Sequence, residues 1–350
     1  MTDAGFTLDC PAPRIGYDRI VMGHGGGGRL SANLVRDLFL PAYGNDVLSR
    51  LEDQATLAWP GGRLAFTTDA FVVRPLFFPG GDIGKLAVNG TVNDLAVGGA
   101  RPLYLSAAFI LEEGLLLSDL EKIATSMKEA CRVAGIQLVT GDTKVVDQGK
   151  GDQVFIATSG VGVVPDGVSL SIGSARPGDR IVLSGTIGDH GIAIMCQREG
   201  IDLETVLESD TAPLADLAQL ALRACPLIRL MRDPTRGGLA STLNELAQAS
   251  GVGVRIEEDR IPVRAEVKGA CEILGLDPLN IANEGKLVAV VPAAHAERLV
   301  EALREHPLGR NAALIGDVLA EGPGLVRLKS RVGGERVVSL LAGEPLPRIC

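Results

Sequence analysis

No apolar run approaches the roughly 20 residues that a bilayer-crossing helix needs, so a membrane span is not expected. Cationic charge is in deficit: 34 Lys and Arg face 43 Asp and Glu, a net charge of −9. That balance opposes phosphate polymers, whose binding rests on clustered cations, and argues against nucleic acid as a partner. A small phosphate-bearing molecule stays open, because magnesium can sit between carboxylates and phosphates. The six cysteines, at 10, 131, 196, 225, 271 and 350, include no C-x-x-C pair, which speaks against a zinc ribbon or a disulfide framework. The N-terminal stretch carries Asp3 and Asp9 and lacks the apolar core of a secretory signal, so a cytoplasmic protein is expected. Aromatics are also few: eight Phe, three Tyr and one Trp.

What is abundant is glycine, 44 residues without a Gly-X-Y period, against a usual share of roughly 7%. Such an excess implies many tight turns or close approaches of backbone to a ligand. A chain of 350 residues suggests two domains, and the Pro-, Gly- and Ser-rich stretch after Val164 puts the boundary near residue 170. Strand-like runs at Leu64–Thr68, Leu103–Ile110, Ile136–Thr140, Val154–Val164, Arg180–Ser184, Val252–Glu257 and Leu287–Val291 alternate with segments of helical period, an α/β or α+β pattern. The clearest helix is Leu120–Ala134, with Ser118 or Asp119 as cap and Gly135 at its end. Cys131, Cys196 and Cys271 lie on apolar faces and read as core residues.

Chemistry-bearing residues gather in loops. The cluster from Gly23 to Arg29, with His24 and Gly26 inside it, formally matches G-x-G-x-x-G. It lacks the second strand of a Rossmann unit, leaving a cationic flap over phosphate or a plain surface loop. Asp69, Asp94 and Asp142 each end an apolar run, as magnesium ligands or as turn and cap residues. Segment Ile83–Val97 is apolar nearly all round except for a stripe of Lys85, Asn89 and Asn93, with Thr91 beside it; such a stripe faces something polar, solvent included. The Walker A pattern fails around Lys85, because Pro79 and Leu86 stand where it needs Gly and Ser or Thr. Loops 185–191, with Asp189 and His190, and 233–238, with Thr235, Arg236 and Gly237, open later helices and are either anion sites or ordinary helix entries. The sequence closes on Cys350 after Pro345 and Pro347, either an extended arm from residue 344 that carries a thiol between a pocket and the surface or a frayed end with an incidental cysteine.

Together, HGGGGR, FTTDAFVV, GGDIGKLAVNGTVNDLAVGGARPLYLSAAFILEEG, GDTKVV, SGTIGDHG, DPTRGGL, ANEGKL, HPLGRNAALIG and terminal PRIC resemble the HypE family of hydrogenase maturation proteins. That family lies in the superfamily of aminoimidazole ribonucleotide synthetase and selenophosphate synthetase. The resemblance implies a two-domain, aminoimidazole-ribonucleotide-synthetase-like α/β (α+β) fold. It divides into an ATP-binding and dimerising domain over 1–168, a second α/β domain over 169–343 and a mobile tail over 344–350. It implies a homodimer binding ATP and Mg2+ near its interface. The carbamoyltransferase HypF would load Cys350 with a carbamoyl group, and this lyase would dehydrate it to a thiocyanate. The cyano group would pass to iron on a HypC–HypD scaffold complex, with no nucleic acid or membrane involved. Asp69, Asp94 and Asp142 would hold magnesium, Lys144 would stabilise charge at the carbamoyl group, and Glu284 would be the base, with His190 or water as the alternative. His24, Gly26, Arg29, Lys85, Asn89, Thr91, Asn93, Asp189, His190, Thr235, Arg236 and Gly237 would line the nucleotide.

Overall fold

A computed structural model describes residues 17–25, 29–51, 55, 57, 59, 61–201, 205–340 and 348–349. Among the described residues the first α-helices are α1 (Arg29–Leu34) and α2 (Leu40–Tyr43), joined by a π turn over Val35–Phe39. Then come β1 (Arg63–Phe71), the short strands β2 (Phe77–Phe78) and β3 (Gly81–Asp82), α3 (Ile83–Val97), β4 (Arg101–Glu112), α4 (Leu117–Ala134), β5 (Gln137–Val146) and β6 (Val154–Val164). β1, β6, β4 and β5 form a sheet in that order, antiparallel except for the β4–β5 pair. α3 and α4 cover one face, so Leu105, Ala107 and Phe109 are buried there. The other face is open: Leu64 is 61% exposed, Phe66 66% and Ile110 41%.

The second half runs through β7 (Asp179–Leu183), α5 (Asp189–Glu199), α6 (Ala215–Ala224), β8 (Leu230–Arg232), α7 (Gly238–Ser250), β9 (Gly253–Glu257), α8 (Ala265–Leu274), β10 (Val288–Pro292), α9 (Ala293–Arg304), β11 (Ala313–Leu319), β12 (Val326–Lys329) and β13 (Glu335–Val337). Its seven strands pair in the order β13-β12-β9-β11-β7-β10-β8. Both faces are packed, with Leu239, Leu243 and Leu246 of α7 on one side and Leu299 and Leu303 of α9 on the other. Strands buried on both faces read as continuous apolar runs, which is why β7 and β10 stand out in the sequence.

α3 links the halves. Asp82 caps it by accepting from Gly84 N–H and Lys85 N–H, and most of its residues are buried all round, as an internal helix requires. The helix expected over 120–134 begins three residues earlier. Leu116 is its N-cap without a side-chain bond, so Ser118 and Asp119 lie inside the first turn rather than capping it, while Gly135 ends it at φ +67°. Cys131, Cys196, Cys225 and Cys271 are buried free thiols.

Candidate active site

The polar stripe of α3 faces protein, not solvent. Asn93 donates to the carbonyls of Ala212 (3.1 Å) and Glu284 (3.2 Å), and its Oδ1 accepts from Leu214 N–H (2.7 Å). Asn89 Nδ2 donates to Thr211 Oγ1 at 3.1 Å, and Lys85 Nζ to Gly80 O at 2.7 Å. The stripe therefore grips the segment between α5 and α6 and holds the backbone of Glu284, itself only 3% exposed. Asn93, expected at the nucleotide, has both amide protons committed to backbone carbonyls and is instead a support for Glu284. Thr91 is also corrected: it is buried against the hydroxyl of Thr158 on β6 and has no open side for a ligand.

Residues 209–212 are the hub. Asp210 accepts from Glu284 N–H at 3.0 Å and pairs with Lys286 at 3.0 Å. Lys286 and Arg264 also face buried Asp189, at 3.9 and 3.6 Å. Asp189 thus neutralises cations within the protein, and a carboxylate so placed has no reason to meet phosphate. Burial raises its pKa, and the nearby Lys286 charge works against that rise.

The described end of the tail reaches this hub. Ile349 is 2% exposed, in one apolar cluster with Ile192, Cys196 and Cys271. The Arg348 carbonyl accepts from Arg74 N–H (3.2 Å) and Arg198 Nη2 (2.8 Å), and its guanidinium pairs with Asp152 at 2.8 Å. His190 Nε2 stands 2.9 Å from the Ile349 carbonyl, and Nδ1 stands 2.7 Å from Ser209 Oγ. A carbonyl only accepts, so the ring proton is assigned to Nε2, and Nδ1 takes the Ser209 hydroxyl proton. Burial lowers the pKa of His190 and keeps the ring neutral. With both nitrogens occupied and no exposed surface, His190 is neither a nucleotide contact nor a free base here; it is a contact of the tail. Cys350 lies outside the described residues.

A second cluster sits where β1 and α3 meet the loop before α7. Asp94 accepts from Thr67 Oγ1 at 2.8 Å. Burial raises the pKa of Asp69 and Asp94; the Asp94 charge adds to the rise at Asp69, and Arg236 opposes it. Asp233 is pushed up to about 7, first by burial and then by the charges of Asp94 and Asp69. The loop that carries Asp233, Thr235 and Arg236 ends at Gly237, φ +74°, which caps α7 in a conformation suited to glycine. Buried Asn283 ties the loops together: its amide donates to Pro234 O (2.8 Å) and its Oδ1 accepts from Gly188 N–H (2.8 Å).

Asp142 does not join Asp69 and Asp94 within one chain. Register pairs Asp69 with Thr158, Thr158 with Ala107 and Ala107 with Gly141, so Asp142 is one residue out and projects from the opposite, open face. Three strand spacings, about 14 Å, also separate them. Lys144 shares that face, 3.4 Å from Asp142 and 65% exposed. β5 is the edge strand, and a cavity of about 290 Å³ beside it is lined by Phe39, Tyr43 and Phe109 from the covered side and also by His24, Asp142 and Lys144. His24 is buried, its Nδ1 accepting from Val21 N–H at 3.0 Å, and a Cβ on Gly25 would lie 2.4 Å from Val145 N, so this glycine lets the loop touch β5. Arg29 opens α1; Gly26 lies outside the described residues.

Among the described residues no three His, Cys, Asp or Glu side chains are arranged to hold a metal ion. Magnesium commonly takes one or two carboxylates and completes its shell with phosphates and water, so the crowded pair Asp69 and Asp94 fits it in donor chemistry without a finished cage.

The AIR synthase related protein families match both halves, the N-terminal domain over residues 51–164 and the C-terminal domain over 176–329. Carbamoyl dehydratase HypE of Cupriavidus necator is 56% identical over 333 residues, 95% of each chain. A crystal structure of hydrogenase maturation protein HypE in complex with ATP superposes with a TM-score of 0.91 at 47% identity, covering 94% of this chain and 99% of that one. A HypE–HypF complex gives 0.78 at 47% identity, covering 88% and 99%. The chain belongs to the HypE family. Its mixed α/β architecture, with AIR-synthase-related N- and C-terminal parts, is the one the motifs implied. As a HypE protein it is a hydrogenase maturation protein of the carbamoyl dehydratase kind.

Sequence reasoning missed Ser209, Asp210, Thr211, Asp233 and Asn283 in this HypE site. Asp233 and Asn283 lie inside DPTRGGL and ANEGKL, one residue or two from residues already singled out. The 209–211 triplet carries no motif beyond polarity ahead of a helix.

Proposed function

We propose that this chain converts an S-carbamoyl group on its own Cys350 to a thiocyanate with ATP, supplying the cyanide ligand of a [NiFe]-hydrogenase iron centre. The observation that carries this reading is the tail: Ile349 is buried and bonded to His190, whose partner Ser209 adjoins Asp210, the residue that holds Glu284 N–H. The residue before the cysteine is thus held three contacts from the backbone of the proposed base.

The dehydration needs the carbamoyl oxygen to become a leaving group. That oxygen forms a bond to the γ-phosphorus of ATP as ADP departs and one proton leaves the nitrogen. Glu284 then takes the second N–H proton while the C–O bond breaks, releasing phosphate and leaving S–C≡N. Lys144 stabilises negative charge at the carbamoyl group. Asp69 and Asp94 would hold Mg2+, which supplies charge neutralisation at the phosphates. Arg236 and Thr235 at the start of α7 provide the anion-binding groups beside them.

Asp142 and Lys144 take part from a second subunit. Exposed Leu64, Phe66 and Ile110 on the open sheet face support a homodimer that buries this face and brings the β5 edge of one subunit to the site of the other. The relatives solved with ATP and with HypF support the nucleotide and HypF as loading partner; the HypC–HypD complex is the proposed acceptor, in the cytoplasm.

Intact-mass measurement tests the reading. After carbamoylation of Cys350, ATP and magnesium should remove the mass of one water, and Glu284→Gln should bind ATP yet keep the full carbamoyl mass. No water loss in the parent protein overturns the proposal, and a normal loss in Glu284→Gln removes Glu284 as the base.

A further inference from the structure

We propose that His190 and Ser209 form a latch that holds the tail in its docked position by receiving the backbone carbonyl of Ile349. The inference rests on the reading that Cys350 carries the reacting group, and it assigns the residues that decide where that group sits. The contacts form a directed chain. Thr211 N–H donates to Ser209 Oγ (3.1 Å), which leaves the Ser209 proton for His190 Nδ1 and the imidazole proton for Ile349 O. Asn89 on α3 anchors the far end through Thr211 Oγ1, and Phe78 meets the ring edge-on with centroids 5.6 Å apart, fixing its plane. Ser209 is itself 8% exposed and His190 has no exposed surface with the tail docked, so the ring is held in one orientation while Ile349 is seated.

Two consequences follow. Docking replaces the imidazole N–H's alternative partner, water, with the Ile349 carbonyl and seats the Ile349 side chain in an apolar cluster, so both contacts bias the tail inward. The latch also touches the residue before the cysteine rather than its sulfur, so it serves thiol, carbamoyl and thiocyanate forms alike. His190 is accordingly a positioning residue, and its effect runs through the tail.

The test is the rate at which a bulky maleimide modifies Cys350 in the full-length protein, resolved by peptide mass spectrometry. His190→Leu should raise that rate about tenfold, the weight of one hydrogen bond, measured well below the variant's own melting temperature. His190→Gln, whose amide N–H can still reach the carbonyl, should restore most of the protection, and Ser209→Ala should fall between. A folded His190→Leu that reacts at the parent rate overturns the latch, as does a His190→Gln no better protected than His190→Leu. If His190→Leu does not fold, Ser209→Ala decides: parent-like reactivity overturns the latch. Thiol protection needs no carbamoyl chemistry, so altered protection in a protein that fails to dehydrate its tail supports the latch and sinks only the proposed reaction.

Discussion

Asp233 shows how a single carboxyl reports on its site. In the folded chain it keeps its proton to about 7, against an ordinary 3.8, because burial and the charges of Asp94 and Asp69 penalise its ionised form. Between those values the folded state holds a proton that the unfolded chain has released. Stability therefore falls as pH rises from near 4 through about 7, and levels off above. Asp233→Asn should remove that contribution, so in magnesium-free buffer its melting temperature should decline less than the parent's between about pH 4.5 and 7.5. Parallel declines would mean that Asp233 is not the titrating group.

At the scale of elements, the contact between segment 209–214 and the loop of Glu284 is the tightest joint around the site. A Cβ on Gly285 would lie 1.9 Å from the carbonyl oxygen of Asp210 and 3.2 Å from Ala212 N, and both are backbone atoms that cannot swing aside. Gly285→Ala should cost about 1–3 kcal/mol of stability and lower dehydration more than ATP binding, because the shift falls on Glu284 and the latch segment. Thermal unfolding and ATP affinity measured on one preparation check this; unchanged stability would show that the joint yields. Such a joint is invisible in sequence, where Gly285 is one of 44 glycines. The regular elements are far more legible. Seven strand-like runs fall on β1, β4, β5, β6, β7, β9 and β10, because each is long or buried on at least one face. β8, with three residues, and β11–β13 near the C-terminus escape, being short, exposed or interrupted by a bulge. The α3 stripe was readable as polar, but what it faces was not. Asn93 meets backbone carbonyls about 120 and 190 positions away, and only the tertiary fold brings those to it.

At the scale of the molecule, one chain separates the proposed metal and carbamoyl groups. Asp94 lies on the helix-covered side of the first sheet and Asp142 on its open side, so a site that needs both must borrow one of them. A two-fold dimer that buries the open faces does this symmetrically, giving two sites each built from both subunits. Complementation follows from that geometry. Asp94→Asn and Asp142→Asn should each be inactive alone. In a mixed dimer, however, one site collects both substitutions and the other collects none. Random assembly of equal amounts yields half mixed dimers, so ATP-dependent dehydration should recover to about a quarter of the parent's sites. Recovery should require exchange of subunits, and cross-linking the homodimers before mixing should prevent it. If the mixture stays inactive although mass spectrometry shows mixed dimers, each site is completed within a single chain, and the dimer of open faces has no part in building it.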